Sequence, residues 1–273
     1  MKTATKPKPA VLKAITVMKT KQLYNVFRIL GSRFSDFLFP KICLFCRDRI
    51  IFDDLESKVE NLISTKKMNL ISTEYFCFRC KSKIEFAPHK DEILNDLTIS
   101  FPKNQLAISN AVSLFANSDD FSAMNLIYKF KYYGFTRIGI EYGIWLGKIL
   151  LDYDLVRYDF IVPVPLHRTK KRERGYNQAD FIAVGVSKIL DIPVAKNLLK
   201  KVKHTVSQTS LKSDERKINL WDAFRVNPSF DLRGKKILLV DDVLTTGSTV
   251  NTCALVLLEN SASLVDIATL VKA

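Results

Sequence analysis

The stretch that most constrains the fold of this chain runs from Lys236 to Val250. A continuous apolar run, Ile237, Leu238, Leu239 and Val240, empties into Asp241 and Asp242 and then into Thr245-Thr246-Gly247-Ser248-Thr249. An unbroken run of β-branched and leucine residues reads as a strand buried on both faces, which calls for a parallel sheet covered by helices. Such a strand delivers the loop after it to the carboxyl edge of the sheet, where open α/β folds bind their ligands. Gly247 lets the backbone turn closely around an anion. The amides of residues 245 to 249, with the N-terminus of a helix expected from near Ser248, supply donors and positive potential. Three threonine hydroxyls and one serine hydroxyl suit a phosphate monoester. Asp241 and Asp242 would repel a bare phosphate, so the hydroxyls of a sugar, or a divalent ion with oxygen ligands, are their natural partners. A capped strand-loop-helix connection without a ligand uses the same residue types. A Walker-type loop does not fit, because no Gly-Lys-Ser/Thr ending is present.

A chain of 273 residues is long enough for one full core and a small appended module. Its hydrophobic share of 47% and charged share of 26% are those of a folded soluble protein. No apolar run approaches a membrane span and the N-terminus lacks a signal-peptide core, which places the chain in the cytoplasm. The formal net charge of +14 favours polyanionic partners without choosing among nucleic acid, pyrophosphate compounds and anionic membrane. Much of that charge is local: residues 1–35 carry eight lysines and arginines and no acid, which reads as a solvated basic tail. Met18 stands where an alternative translation start could lie.

Four of the five cysteines form two pairs, Cys43-x-x-Cys46 and Cys77-x-x-Cys80, thirty residues apart. Each pair presents two thiolates to one ion from a tight turn, and two such knuckles complete a tetrahedral structural zinc site. Residues 47–76 are expected to carry a short helix, and Leu44, Phe45, Tyr75, Phe76 and Phe78 to cover the sulfurs. A disulfide or redox pair is the competing reading, against which a cytosolic setting argues. Cys253 reads as a small core residue. His89, His167 and His204 lack ligand spacing.

The remainder alternates strands and helices. Ala107–Phe115 reads as a strand. Capping residues at Asn117, Ser118 and Asp119 then open a helical pattern through Phe121, Met124, Ile127 and Tyr128 that ends before Gly134, with Lys129 and Lys131 at its end. A helix over about 136–152 follows, then a strand ending at Pro163-Val164-Pro165, a helix over about Asn177–Leu190, and a last strand over Leu264–Val271. Six basic side chains, His167, Arg168, Lys170, Lys171, Arg172 and Arg174, come directly after the strand end at Pro165, a natural place for a second anion such as pyrophosphate. A solvated basic loop is the alternative. Lys201–Phe224 has no clean periodicity and reads either as a loop that closes over a site or as a surface connection. The domain layout is a basic tail over 1–35, a zinc-binding module over 36–90 and an α/β domain over 91–273.

The loop at 241–249 resembles the phosphoribosyl pyrophosphate (PRPP) loop of type I phosphoribosyltransferases. The chain from about residue 36 onward resembles the ComF family, which joins a four-cysteine zinc module to a phosphoribosyltransferase-like domain. The resemblance rests on Phe39-Pro40 before Cys43, Cys46, Cys77 and Cys80; on Lys129-Phe130-Lys131-Tyr132; on Pro163-Val164-Pro165-Leu166; on Arg174-Gly175-Tyr176-Asn177-Gln178; and on Thr205, Gln208, Arg216, Asn219, Ala223 and Phe224. Lys201 and Lys203 depart from the arginines common in the family. The resemblance implies a type I phosphoribosyltransferase-like parallel sheet with helices on both faces. It implies PRPP binding with Mg²⁺, the ribose hydroxyls at Asp241 and Asp242 as the catalytic pair, and the 5′-phosphate at Thr245, Thr246, Gly247, Ser248 and Thr249. Leu166, His167, Arg168, Arg174, Asn177, Gln178, Gln208 and Arg216 complete the implied PRPP set. An enzyme reading makes the chain a phosphoribosyltransferase of unspecified acceptor acting in DNA uptake with partners of that machinery. A binding-module reading makes it a single-stranded DNA-binding accessory protein that keeps the PRPP loop as a sensor or relic. Tyr132 and Tyr133 are then available for base stacking, although core packing is the ordinary fate of a tyrosine.

Overall fold

The computed structural model describes residues 41–50, 75–118, 122–132, 134, 136–153, 155, 157–202 and 223–273. The expectations placed on the basic tail with Met18, on Tyr133, Lys203, His204, Thr205, Gln208, Arg216 and Asn219, and on most of the 47–76 connection lie outside these residues. Two units are present, one ending at Lys81 and one running from Ser82 to Ala273. In the first, the Cys43 turn is closed by an isolated antiparallel bridge between Ile42 and Arg49, and Cys80 lies in a single helical turn, α1 (Phe78–Lys81).

The second unit runs α2 (Lys90–Ser100), β1 (Ala111–Ala116), α3 (Ala123–Tyr132), α4 (Thr136–Asp152), β2 (Phe160–Pro163), α5 (Arg168–Arg174), α6 (Gln178–Leu190), β3 (Leu199–Lys201), β4 (Phe224–Val226), β5 (Lys236–Leu244), α7 (Ser248–Glu259) and β6 (Leu264–Lys272). Four strands form one parallel sheet in the order β1-β6-β5-β2, with registers such as Val162↔Leu239 and Val240↔Ala268. Side chains alternate across a strand. Val162, Ile237, Leu239, Val265 and Ile267 accordingly join one core with Leu97 of α2 and Val250, Cys253 and Ala254 of α7. The intervening Ile161, Leu238, Val240, Ala268 and Leu270, equally buried, point to the other face. The unbroken apolar runs of the sequence follow from this two-sided burial.

On that other face α4 and α6 pack with their backbones nearly touching. A Cβ on Gly143 would stand 2.2 Å from the Ile182 carbonyl oxygen, and one on Gly185 would stand 2.1 Å from that of Ile140. Such proximity needs glycine on both helices, and the crossing fixes the helix that starts beside the candidate site.

Several expected boundaries shift. The first strand begins at Ala111 rather than Ala107, because Ala107 gives its amide to the Asn251 side chain, at 2.7 Å, and not to a ladder. The strand after Lys236 does not end at Val240 but continues through both acids to Leu244, paired to β6 at Asp241↔Thr269 and Val243↔Val271. The basic stretch after Pro165 is not an open loop: Arg168–Arg174 is a helix capped by His167, whose Nδ1 accepts from the Thr169 amide at 3.3 Å, and closed by Gly175 at φ 79°. The ends of the Lys201–Phe224 segment pair with each other as the antiparallel β3 and β4.

Candidate active site and metal centre

In the N-terminal unit the cysteines converge. The sulfurs of Cys43, Cys46, Cys77 and Cys80 all lie within 4.8 Å of one another, and those of Cys46 and Cys77 are 3.6 Å apart. The turns that bring them together are tight. Cys43 donates its amide to the Asp48 carbonyl at 2.8 Å and accepts from the Arg47 amide at 3.0 Å, with Arg47 in the left-handed region at φ 65°. Burial alone would raise the Cys43 thiol, but backbone donors at Cys77, Cys46 and Phe45 outweigh it and bring it down to about 7. Of the aromatic residues expected to cover the sulfurs, Phe76 is buried and its ring lies 5.8 Å from that of Phe45. Four thiols at this spacing can hold a metal ion.

In the sheet unit, the carboxyl ends of β2 and β5 open on a cavity of about 430 Å³. Strand alternation sends the two acids of β5 to opposite faces, which the sequence pair Asp241-Asp242 did not reveal. Asp242 is buried and pairs with Lys131 Nζ at 2.9 Å, in the last turn of α3. Asp241 faces the α7 side, where its charge reaches Lys201 and Cys253. Burial first, and the adjacent Asp242 carboxylate second, push the Asp241 carboxyl up to about 8, against the pull of Lys131 and Lys201. Lys201 is itself lowered by burial and lies over the Phe224 ring at 5.2 Å.

The turn after β5 is braced from beneath. Gly247 is buried at φ 75°, and a Cβ there would meet Leu97 Cδ2 at 2.6 Å, so glycine is required by both conformation and space. Thr246 Oγ1 and Ser248 Oγ lie 2.9 Å apart, Thr246 Oγ1 also accepts from the Ser248 amide at 3.4 Å, and Gly247 at the start of α7 offers no side-chain cap. Across the cavity, Asn177 is buried and donates through Nδ2 to the Val164 carbonyl at 3.0 Å, tying the start of α6 to the exit of β2. Gln178 accepts at Oε1 from Arg174 Nη1 at 3.4 Å, while its buried Nε2 has no partner.

Of the residues singled out in the sequence, the cavity brings together Leu166, His167, Arg174, Asn177, Gln178, Asp241, Asp242, Thr245 and Thr249. Thr246, Gly247 and Ser248 form the turn beside it, and Arg168 points instead into an adjoining cavity. Gln208 and Arg216 are outside the described residues. Lys170, one of the six basic residues expected at an anion site after Pro165, is in the lining, whereas sequence reasoning missed Lys131 and Lys201 as members of it. For Lys131 a signal existed: a cation in the last turn of a helix, one turn after buried Ile127, sits beside whatever that helix packs against. Tyr132, for which core packing is the ordinary fate, is 60% exposed. Its ring lies 4.8 Å from that of Tyr128, and the Arg174 guanidinium stands 5.7 Å above it.

Comparison with known proteins places these features in a lineage. The family model of the phosphoribosyl transferase domain matches residues 180–273. Competence protein F of Haemophilus influenzae is 46% identical over 92 residues, covering 33% of this chain and 40% of that protein. DNA utilization protein YhgH of Escherichia coli is 37% identical over 109 residues, covering 40% of this chain and 47% of that protein. The chain thus spans less than half the length of these curated relatives. Among solved structures, a purine phosphoribosyltransferase from Pyrococcus horikoshii is similar at 20% identity and a TM-score of 0.32, over 49% of this chain and 73% of that one. The chain thus carries a match to the phosphoribosyl transferase domain over residues 180–273 and is similar, over 33–40% of its length, to competence and DNA utilization proteins.

Proposed function

We propose that the protein binds PRPP with Mg²⁺ and acts as a phosphoribosyltransferase, or a PRPP-dependent factor, in DNA uptake. The observation that carries this reading is the single cavity in which two carboxylates, a hydroxyl-rich turn and a cationic helix face one another. The 5′-phosphate sits against the amides and hydroxyls of Thr245, Thr246, Gly247, Ser248 and Thr249. Asp241 and Asp242 hold the ribose hydroxyls as catalytic pair, each steadied by a lysine on its own side of β5. His167 and Arg174 take the pyrophosphate, Arg168 being turned into the adjoining cavity, and the Nε2 of Gln178, without a partner among the described residues, is a donor in want of an acceptor oxygen. Gln208 and Arg216 complete the set. Carboxylate oxygens are suitable hard donors near Mg²⁺, which when bound with PRPP neutralises the diphosphate charge. The chain's residues then serve to orient: with the 5′-phosphate and ribose fixed, the bond from C1 to pyrophosphate loosens toward an oxocarbenium-like state, a nitrogen acceptor bonds to C1, and pyrophosphate departs toward the basic helix.

For the N-terminal module, zinc is the proposed ion. A tetrahedral site with zinc–sulfur bonds of about 2.3 Å places its sulfurs about 3.8 Å apart, and the four thiols, all within 4.8 Å of one another, fit that figure. Within the proposed layout (1–35 tail, 36–90 zinc module, 91–273 transferase domain) the protein works in the cytoplasm, and among the described residues no helix is long and apolar enough to cross a membrane. The relatives' names, competence protein and DNA utilization protein, support the DNA-uptake setting.

A second reading, single-stranded DNA binding, is favoured by the exposed Tyr128–Tyr132 stack beside Arg174, since aromatic faces flanked by cations suit unpaired bases. Calorimetric titration of PRPP with Mg²⁺, followed by pyrophosphate release across the common nucleobases, tests the first reading. Binding with release for one base establishes the enzyme and names its acceptor. Binding without release leaves the sensor, and no binding removes the reading. The salt slope of single-stranded DNA binding tests the second, and a flat, weak response unchanged in Tyr132→Ala removes it.

A further inference from the structure

Behind the turn that follows β2 lies a second and larger cavity, of about 620 Å³, within the range of small-molecule sites. One wall is the turn and the start of α5, the other the segment 196–202 that leads into β3. The two cavities stand back to back, with Pro165, Leu166, His167, Asn177 and Lys201 lining both.

The lining of this second cavity is strongly asymmetric in charge. Arg168 and Lys171 enter from α5, and Lys196, Lys200 and Lys201 from the facing segment, against one carboxyl, Asp180. Arg168, Lys171, Lys196 and Lys200 form no ion pair of their own among the described residues, so the cations are not there to neutralise a neighbouring acidic patch. Burial pushes the Asp180 carboxyl up, with Lys196 and Lys171 opposing. Like charges converging on one concavity repel, and an anion relieves that repulsion. Beside His167 and Asn177 the wall has an apolar part, Pro165, Leu166 and the exposed Val202 over the buried Leu199. Asn197 adds one amide at the rim. A purely inorganic anion has no use for such a wall, whereas a flat heterocycle does.

We propose that this second cavity binds a nucleoside diphosphate, its phosphates held by Lys171, Lys196 and Lys200 and its nucleoside laid against Leu166 and Val202. The site goes beyond the PRPP reading and does not depend on it, because Lys196, Lys200, Leu199 and Asp180 line only this cavity. When both sites are filled, the shared turn at Pro165–His167 and Lys201 lies between two anions, so each ligand weakens the other.

The test is titration of the full chain with ADP, and separately with inorganic pyrophosphate, in wild type and in two variants. In Lys196→Glu, Lys200→Glu the ADP affinity falls tenfold or more, as expected for losing two charge-assisted contacts. In Asp241→Asn, Asp242→Asn it stays within about twofold, and pyrophosphate alone binds more weakly than ADP. The exposed positions of Lys196 and Lys200 favour folding of the charge-reversed pair, and Lys196→Gln, Lys200→Gln, with a smaller loss, serves if it does not fold. The proposal is overturned by unchanged ADP binding in the lysine variants, by loss confined to the aspartate variant, by pyrophosphate binding as tightly as ADP with the same loss in the lysine variants, or by no ADP binding at millimolar concentration. PRPP titration of the same proteins reads the neighbouring cavity independently, so one site can fail without the other.

Discussion

Around the four cysteines the described core is little more than the cysteines themselves: Cys43, Cys80 and Ile50, with Phe45, Cys46 and Cys77 against them. Behind Asp241, by contrast, β5 is backed by a continuous core that takes in α2, α7 and the strands on either side. Among the described residues, the first region has side chains that converge on a ligand position but little apolar surface to hold them there. The other has its framework built before any ligand arrives and places polar groups at its edge. The difference teaches where each region's stability resides: in the proposed ion for the first, in buried hydrocarbon for the second.

The largest effect that would break this comparison is metal removal. Structural zinc in small modules supplies roughly 10–16 kcal/mol of folding free energy. Chelation, or Cys43→Ser, is expected to abolish protection of the Cys43, Arg47, Ile50 and Cys80 amides in hydrogen exchange while those of β5 and β6 stay protected. Loss of protection in both regions at once would mean that the sheet is not self-sufficient.

Next in size is Asp241→Asn, Asp242→Asn. Each carboxylate lost from a hydrogen bond to ligand costs about 1.5–3 kcal/mol, so PRPP affinity should fall by about 100-fold or more by calorimetry. Thermal melting should change little, since relief of the repulsion between the two acids is offset by loss of the Asp242–Lys131 ion pair. A fall in melting temperature would show that the pair stabilises the fold, and the two regions would then be less different than their cores suggest.

A third variant, Gly247→Ala, sharpens how firmly the loop is braced. A side chain at φ 75° and a Cβ 2.6 Å from Leu97 together should cost roughly 2 kcal/mol or more in a denaturant melt. No loss would mean that the turn floats free of the core.

The smallest effect is in pH. The Asp241 carboxyl is raised in the folded state, so the folded protein holds a proton that the unfolded chain has released between its ordinary value and about 8. Its stabilising contribution is therefore complete below that ordinary value and is lost as pH rises through about 8. Without ligand, the melting temperature of the sheet unit is expected to drop by a few degrees between pH 5 and 9, and Asp241→Asn to flatten that slope. A slope unchanged in the variant would assign it to other groups.

Much of the site was legible because it follows one strand. The apolar run Ile237–Val240, the acids, and the glycine before a helix are contiguous, and local chain geometry places them at a sheet edge. Likewise the two Cys-x-x-Cys turns are local devices whose spacing suits two thiolates on one ion. What crossed the chain was not legible. Lys131 reaches Asp242 only because α3 lies over the end of β5, and Lys201 nears Asp241 only because the segment after α6 runs along the edge of β2. The Gly143–Gly185 crossing was hidden for the same reason, as neither glycine carries a sign of its partner.

By itself, then, the sequence determined the alternation of strands and helices, the two-sided burial of the sheet and the chemistry gathered at two turns, because these depend on periodicity and on neighbours a few residues apart. Tertiary structure alone decided that Asp241 and Asp242 face opposite sides of β5, that Lys131 pairs with Asp242 while the charge of Lys201 reaches Asp241, and that a second cationic cavity backs onto the first. These depend on register and helix placement, which are settled when distant apolar faces find one another and carry polar side chains along with them.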